Sequence, residues 1–339
     1  MYLGMSPVRI SFAGGGTDMP EYYNEYGGAV ISANISKFTY VILNPRQDNL
    51  FQSFSSDLQQ HHEITSYDNL EPKHGSEIAV AVVKYLKYTK GANFIISSDV
   101  QPGSGLGASS SLCVNFIKTI SSLQGDSFNP SEIAEKAFNL ERNILHHSIG
   151  MQDPYATAFG GFNYITFKEN EIKVNPIKIN NSTLSELEEN LLLFFVGNSG
   201  RDNKIILSNH IDRIKNQEKN LLNSLHDVKF LAEEFYRSLT HSDISSVGEL
   251  LNKGWEAKKK FANGISNNYI DKIYESAIKA GAIGGKLTGA GGGGHMLLYC
   301  EKRNRKKVIQ KLNKLGLRHI PFTFHSEGPK VLNLYDYVK

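Results

Sequence analysis

Hydrophobic and polar positions alternate along two early stretches, 8–12 (VRISF) and 29–43 (AVISANISKFTYVIL), and both are rich in β-branched residues. A period of two puts successive side chains on opposite faces, so both stretches predict strands. In 76–90 (SEIAVAVVKYLKYTK) the apolar residues 78, 82, 83 and 86 recur at helical spacing, which predicts a helix. A strand is predicted at 93–97 (NFIIS), and helices at 109–123 and 130–147, the second opened by Asn129-Pro130. Strands follow at 161–167 (GFNYITF) and 191–196. The chain then turns helix-rich at 203–239, 243–260 and 269–281. It closes with a strand in HMLLYC, a helix over 303–315 and a short strand in VLNLY.

Between residues 170 and 190 the text becomes rich in Asn, Ser and Glu (NPIKINNSTLSELEEN). That shift marks a lobe boundary and divides the chain into 1–180 and 181–339. A length of 339 residues, with 40% hydrophobic and 21% charged, suits a soluble protein of two packed lobes. A net charge of +3 with scattered basic residues argues against a nucleic-acid partner, and the run Lys302–Lys307 reads as a solvated helix face. The apolar run Leu191–Val196 is far too short for a membrane span. Cys113 and Cys300 sit in apolar contexts without zinc spacing, as small core residues of a reducing compartment. Together with an N-terminus lacking a signal-peptide pattern, these features place the protein in the cytoplasm. They indicate no oligomeric state.

Glycine gathers in three segments: SFAGGGTD (11–18), PGSGLGASSS (102–111) and KLTGAGGGGH (286–295). Such density weakens ordinary structure and needs a reason. The second segment lies between a predicted strand and a predicted helix. The first N–H groups of that helix are unpaired and carry partial positive charge, so a polyphosphate fits against them if no side chain intervenes. A serine hydroxyl in the first turn caps the helix or ligates the Mg²⁺ that travels with a nucleoside triphosphate. Two better-known loops fail. Gly285-Lys286 is followed by Leu287 and position 280 is Ala, so there is no P-loop. Gly103-x-Gly105-x-x-Ala108 meets the relaxed dinucleotide pattern, but Pro102 interrupts its strand junction and Asp126 sits in a turn.

All three segments in this order resemble the GHMP kinases, the superfamily of galactokinase, homoserine kinase, mevalonate kinase and phosphomevalonate kinase. The resemblance runs from Pro7 to beyond Tyr299. It implies an α+β fold of two lobes, a ribosomal-protein-type N-terminal lobe and a ferredoxin-like C-terminal lobe, with ATP and sugar in the cleft between them. It implies an ATP cradle in Pro102, Gly103, Ser104, Gly105, Leu106, Gly107, Ala108, Ser109 and Ser110. It implies Mg²⁺ on Ser109 and Glu141, with Ser110 as the neighbouring alternative to Ser109. Asp153, in SIGMQDPYATAFGG, matches the catalytic aspartate, and Arg9 the basic residue of the first motif. The Asp153-Pro154 pair also reads as a helix cap.

Gly15, Gly16, Thr17 and Asp18 match positions that bind substrate hydroxyls, and Gly291 and Gly292 would approach from the other lobe. SPVRISFAGGGTDMPEYY is most similar to the sugar kinases acting on D-glycero-D-manno-heptose 7-phosphate. Galactokinases usually carry Gly-Glu-His where this chain has Gly14-Gly15-Gly16. The implied reaction is phosphorylation of the anomeric hydroxyl, giving the 1,7-bisphosphate. Alternatives are a kinase of an unphosphorylated sugar of the fucose or galactose type, and a catalytically silent binding protein of the same fold. A substrate phosphate would need a cationic pocket, and Arg201, in GNSGRDNK, is the sequence candidate for it. The helix-end pair His146-His147 lacks the spacing of a zinc site.

Overall fold

The computed structural model describes residues 1–73, 75–198 and 203–337. Two strands carry the first lobe, β1 (Tyr2–Ala13) and β2 (Gly28–Pro45), antiparallel with Arg9 opposite Asn34. The helix α1 (Pro20–Tyr26) lies between them in sequence. The 18 residues of β2 are long enough to take two different partners on its other edge. Its second half pairs with β5 (Ala92–Ser98), and its first half with β6 (Phe162–Lys168). Beyond β5 lie β3 (Leu50–Ser55) and β4 (Gln60–Ser66), and β7 (Glu171–Pro176) borders β6.

Four helices cover one face of this sheet: α2 (Glu77–Tyr85), α3 (Ala108–Gln124), α4 (Pro130–Asn139) and α5 (Gln152–Phe159). Their core joins Val41, Phe94, Phe116 and Ile165. The opposite face of β1 and β2 is covered as well, by the second lobe, where Ile10, Phe12 and Ile31 pack with Phe235 and Leu297. Burial on both faces is why Ser6 through Ala13 are all buried and why strict alternation is lost there.

After α6 (Asn181–Asn190) comes a second sheet, in the order β8 (Leu191–Asn198), β10 (Gly293–Tyr299), β9 (Gly284–Leu287), which carries the second lobe. Around it pack α7 (Asn203–Lys215), α8 (Lys219–Thr240), α9 (Val247–Lys258), α10 (Asn268–Ala280) and α11 (Lys302–Asn313). The two-lobed α+β architecture expected from the sequence is the one observed.

Several details differ from the pattern-based expectations. The helix expected over 203–239 is two helices, α7 and α8, parted at Gln217, whose φ is 54°. The helix expected over 130–147 is capped as predicted, with Asn129 Oδ1 accepting from the Glu132 N–H at 3.0 Å. It then widens into a π-type turn at Leu140–Ile144. The strand in VLNLY is β11 (Lys330–Asn333), and it pairs with β1, so the chain returns to the first sheet at its end. Both cysteines are free and buried. No helix among the described residues is long and apolar enough to cross a membrane.

The second and third glycine segments are packed against each other, backbone to backbone, where the lobes meet. A Cβ at Gly105 would lie 2.5 Å from the Thr288 carbonyl oxygen, and one at Gly289 would lie 2.4 Å from Gly105 Cα. His295 Nδ1 donates to the Ser104 carbonyl at 2.7 Å across the same seam. At Gly105, therefore, the other lobe already demands a bare backbone, before any phosphate is considered. Its φ of +75° adds a second demand. Gly105→Val is expected to destabilise the protein by roughly 2–5 kcal/mol, from left-handed backbone strain plus overpacking. Scanning calorimetry checks this, and an unchanged melting temperature would show that the seam is loose.

Candidate active site

A cleft of about 440 Å³ opens between the lobes, walled by the 102–109 loop, Arg9, Asp153 and the turn at Gly289-Ala290. Arg9, only 4% exposed, is its most heavily bonded side chain. Its Nε donates to Asp153 Oδ1 at 2.7 Å and its Nη2 to Oδ2 at 2.6 Å. Its Nη1 donates to the Gly105 carbonyl at 2.8 Å. Its backbone N–H donates to the Leu106 carbonyl at 2.9 Å. Asp153 is the second residue of α5, which is capped at Met151. The carboxylate is thus committed to Arg9 and the cleft, and not to capping. Each of its oxygens still holds a free lone pair.

The first glycine segment meets the start of α5 through Asp18. The Asp18 carboxylate accepts the Gly16 N–H at 2.9 Å and the Gln152 N–H at 3.1 Å. Burial first, and the Asp153 charge second, push the Asp18 carboxyl above its ordinary range, against the pull of these N–H groups. Gly15, Gly16 and Asp18 line the cleft. Thr17 does not: its hydroxyl donates to the carbonyls of Gly14 (2.8 Å) and Ala29 (3.0 Å). The expected substrate contact at Thr17 is corrected to a buried backbone tie. Gly291 and Gly292 are corrected likewise. They lean on Ile265, whose carbonyl accepts the Gly292 N–H at 2.9 Å, and the third segment reaches the cleft through Gly289 and Ala290. Arg201 lies outside the described residues.

In the 102–110 stretch, Pro102, Gly103, Ser104, Gly105, Gly107, Ala108 and Ser109 line the cleft. The Leu106 and Ser110 side chains are buried behind them. Glu141, in the π-type turn, is fully buried and so is no solvent-facing helix residue. Ser109 Oγ donates to Glu141 Oε1 and Ser110 Oγ to Oε2, each at 2.5 Å. This buried carboxylate with two hydroxyls is an all-oxygen donor set, which fits a hard cation such as Mg²⁺ and not zinc. His147 Nδ1 stands 3.7 Å from Glu141 Oε1. No group of three or more His, Cys, Asp or Glu side chains placed to hold a metal ion occurs among the described residues.

Lys258, Lys286 and His210 also line the cleft; Lys286 opens the third glycine segment, whereas no motif announced Lys258 or His210. Lys286 Nζ donates to the Phe12 carbonyl at 3.2 Å. Burial, then the Arg9 charge, lowers its pKa to about 7. Lys258 Nζ donates to the carbonyls of Leu287, at 3.0 Å, and Gly289. Burial, Lys286 and Arg9 hold Lys258 well below the usual lysine range. His210 is held neutral, near a pKa of about 4, chiefly by burial, and its Nε2 has no hydrogen-bond partner. In sequence, Lys258 belongs to GWEAKKKF, which reads as a charged helix face.

The chain matches two family models, GHMP kinases N terminal domain over residues 76–161 and GHMP kinases C terminal over 231–317. It is 33% identical to the D-glycero-alpha-D-manno-heptose 7-phosphate kinase of Campylobacter jejuni, across 96% of this chain and 97% of that protein. It is 26% identical to the mevalonate kinase of Pyrococcus abyssi, across 87% and 86%. Among solved structures it is similar to a D-glycero-D-manno-heptose 1-phosphate kinase from Bacteroides thetaiotaomicron. That match has a TM-score of 0.82, 27% identity and coverage of 99% and 100%.

The buried ammonium of Lys286 makes stability depend on pH. Its folded pKa of about 7 lies below the ordinary 10.5, so between these values the unfolded chain holds a proton that the folded protein has lost. Stability from this group therefore rises with pH across that window. Lys286→Met should melt higher than wild type near neutrality, and the gap should narrow as pH rises from 7 towards 10.5. Calorimetric melts of both proteins without ligands check it, and a pH-independent gap would be the contrary result.

Proposed function

This chain belongs to the GHMP kinase family, and from that premise we propose that it transfers the γ-phosphoryl group of ATP to the anomeric hydroxyl of a heptose phosphate. D-glycero-D-manno-heptose 7-phosphate, giving the 1,7-bisphosphate, is the acceptor we favour. The observation that carries the kinase reading is the two-pronged Arg9–Asp153 pair, pinned to the glycine loop at Gly105. The Campylobacter relative's name and the Gly14–Asp18 segment support the heptose. The Bacteroides neighbour is named for a heptose 1-phosphate, so the two relatives differ in where the acceptor already carries its phosphate.

Phosphoryl transfer needs a cradle for the triphosphate, charge neutralisation, an in-line hydroxyl and a destination for its proton. The bare backbone of the 102–108 loop and the N–H groups opening α3 serve as the cradle. Ser109 and Glu141 would hold Mg²⁺, which supplies charge neutralisation on the phosphate oxygens when bound. Ser110 helps to orient Glu141 from behind. Asp153 accepts the proton of the acceptor hydroxyl while that oxygen forms its bond to the γ-phosphorus. The bond from this phosphorus to the β,γ-bridging oxygen breaks, and its electron pair leaves on ADP. Arg9 orients Asp153 and keeps a positive charge beside the reacting centre. Gly15, Gly16 and Asp18 line the cleft and would meet the acceptor's hydroxyls. A silent binding protein would have no use for Arg9, Ser109 and Asp153 in one cleft with the Glu141 carboxylate bonded to Ser109 behind its wall.

Release of ADP across a panel of sugars and sugar phosphates tests the substrate, and the panel includes heptose 7-phosphate, heptose 1-phosphate, fucose and galactose. Heptose 7-phosphate is expected to give the highest kcat/KM. A preference for fucose or galactose would overturn the heptose reading and leave the kinase reading standing.

Asp153→Asn should retain ATP affinity by calorimetry and lose roughly 10²-fold or more in turnover, the usual scale for a proton-transfer group. Near-normal turnover would remove Asp153 from the mechanism. Ser109→Ala and Glu141→Gln should each raise the Mg²⁺ concentration needed for half-maximal rate. If added Mg²⁺ restores neither, the metal assignment is wrong.

A further inference from the structure

We propose that Lys258 and Lys286 form a second phosphoryl-binding subsite, contributed by the C-terminal lobe to the same cleft. This deepens the kinase reading and rests on it for the source of the phosphoryl group. Lys286 projects from β9 and Lys258 ends α9, so two different elements bring their ammonium groups to one wall. An ammonium has three N–H donors. Lys258 uses two on the carbonyls of Leu287 and Gly289, and Lys286 uses one on the carbonyl of Phe12. Three donors remain between them, and neither lysine has a carboxylate partner among the described residues. Asp153 pairs with Arg9 and not with either lysine.

Among the described residues of the second lobe that line the cleft, the charged side chains are Lys258 and Lys286 alone; the acids Asp18, Asp57, Glu77 and Asp153 all come from the first lobe. Burial lowers the pKa of both lysines, so their ammonium forms call for an anion. Carbonyl oxygens compensate a desolvated ammonium only in part, and an anion with several acceptor oxygens compensates it further. Two lysines and an arginine match a dianionic tetrahedral group, which is the chemistry of a phosphoryl ester. In this reaction it has two sources, the γ-phosphoryl group of ATP or the phosphate already on the acceptor. A structural alternative is that Lys258 only fastens the end of α9 to the third glycine segment.

A titration that needs no turnover separates these. With ADP and Mg²⁺ saturating the glycine loop, inorganic phosphate is titrated into wild type, Lys258→Gln, Lys286→Gln and Lys286→Arg. Wild type is expected to bind phosphate. Each glutamine variant should bind about tenfold more weakly or worse, the scale of a charge-assisted hydrogen bond. ADP affinity and the melting transition should be retained, and Lys286→Arg should recover most of the phosphate affinity. No binding by wild type, or equal binding by all four proteins, overturns the subsite. Should Lys258→Gln fail to fold, the Lys286 pair of variants decides alone.

Kinetics then name the source. A rise in KM confined to the phosphorylated acceptor assigns the subsite to the acceptor's phosphate, whereas an equal fall in kcat for phosphorylated and unphosphorylated acceptors assigns it to the γ-phosphoryl group. Unchanged kcat and KM in both variants would refute the proposal. If wild type releases no ADP with any acceptor, the kinase reading fails, and the phosphate titration still decides the subsite.

Discussion

The guanidinium of Arg9 is the fixture on which the cleft depends. It sits on β1, in the middle of the molecule, and is almost wholly buried. Taking that charge out of water costs several kcal/mol unless geometry compensates, and here a two-pronged carboxylate and a carbonyl do so. The three bonds run to different elements: two to Asp153 at the start of α5, one to Gly105 in the glycine loop. One side chain thus sets the distance between the loop that would cradle phosphate and the carboxylate that would take a proton. Its own N–H, bonded to Leu106, clamps that loop to β1 a second time.

Around this fixture the polar groups are satisfied in pairs that also join segments distant in sequence. Asp18 ties the first glycine segment to Gln152, and Ser11 donates to the Gln152 side chain at 3.1 Å. Glu141 gathers Ser109 and Ser110 from the start of α3. The lobes close on each other through bare backbone at Gly105 and Gly289, and this fit leaves no room for a Cβ at either position. Lys258 and Lys286 are bonded to carbonyls and to no carboxylate among the described residues. A wall with these two cations from the second lobe is suited to anionic ligands.

Much of this was legible in the sequence because its signals are local. The alternation in 29–43 gave β2, and the Asn129-Pro130 pair gave the start of α4. The three glycine segments pointed to the family, and the resemblance they carry pointed to Arg9, Ser109, Glu141 and Asp153 as candidates. What escaped has tertiary causes. The strands β3 and β4 lie in 50–66, a polar text of a half-exposed sheet margin, where little apolar periodicity is required. Helix α5 is eight residues in a stretch flanked by glycines. Thr17 and Asp18 are neighbours whose side chains go opposite ways, one to backbone carbonyls and one to the cleft. Gly291 and Gly292 look like Gly289 in sequence, but the approach of Ile265 turns them away from the cleft. Lys258 and His210 acquire their character only through burial by residues far along the chain, which no local pattern records.

The most direct measurement is ³¹P nuclear magnetic resonance of wild-type protein mixed with ATP, Mg²⁺ and D-glycero-D-manno-heptose 7-phosphate. Expected is decline of the γ-phosphate signal, with matching growth of a new phosphate-ester signal coupled to the anomeric proton. Growth of inorganic phosphate alone, or no consumption of ATP, would contradict a kinase whose cleft is organised by Arg9 and Asp153.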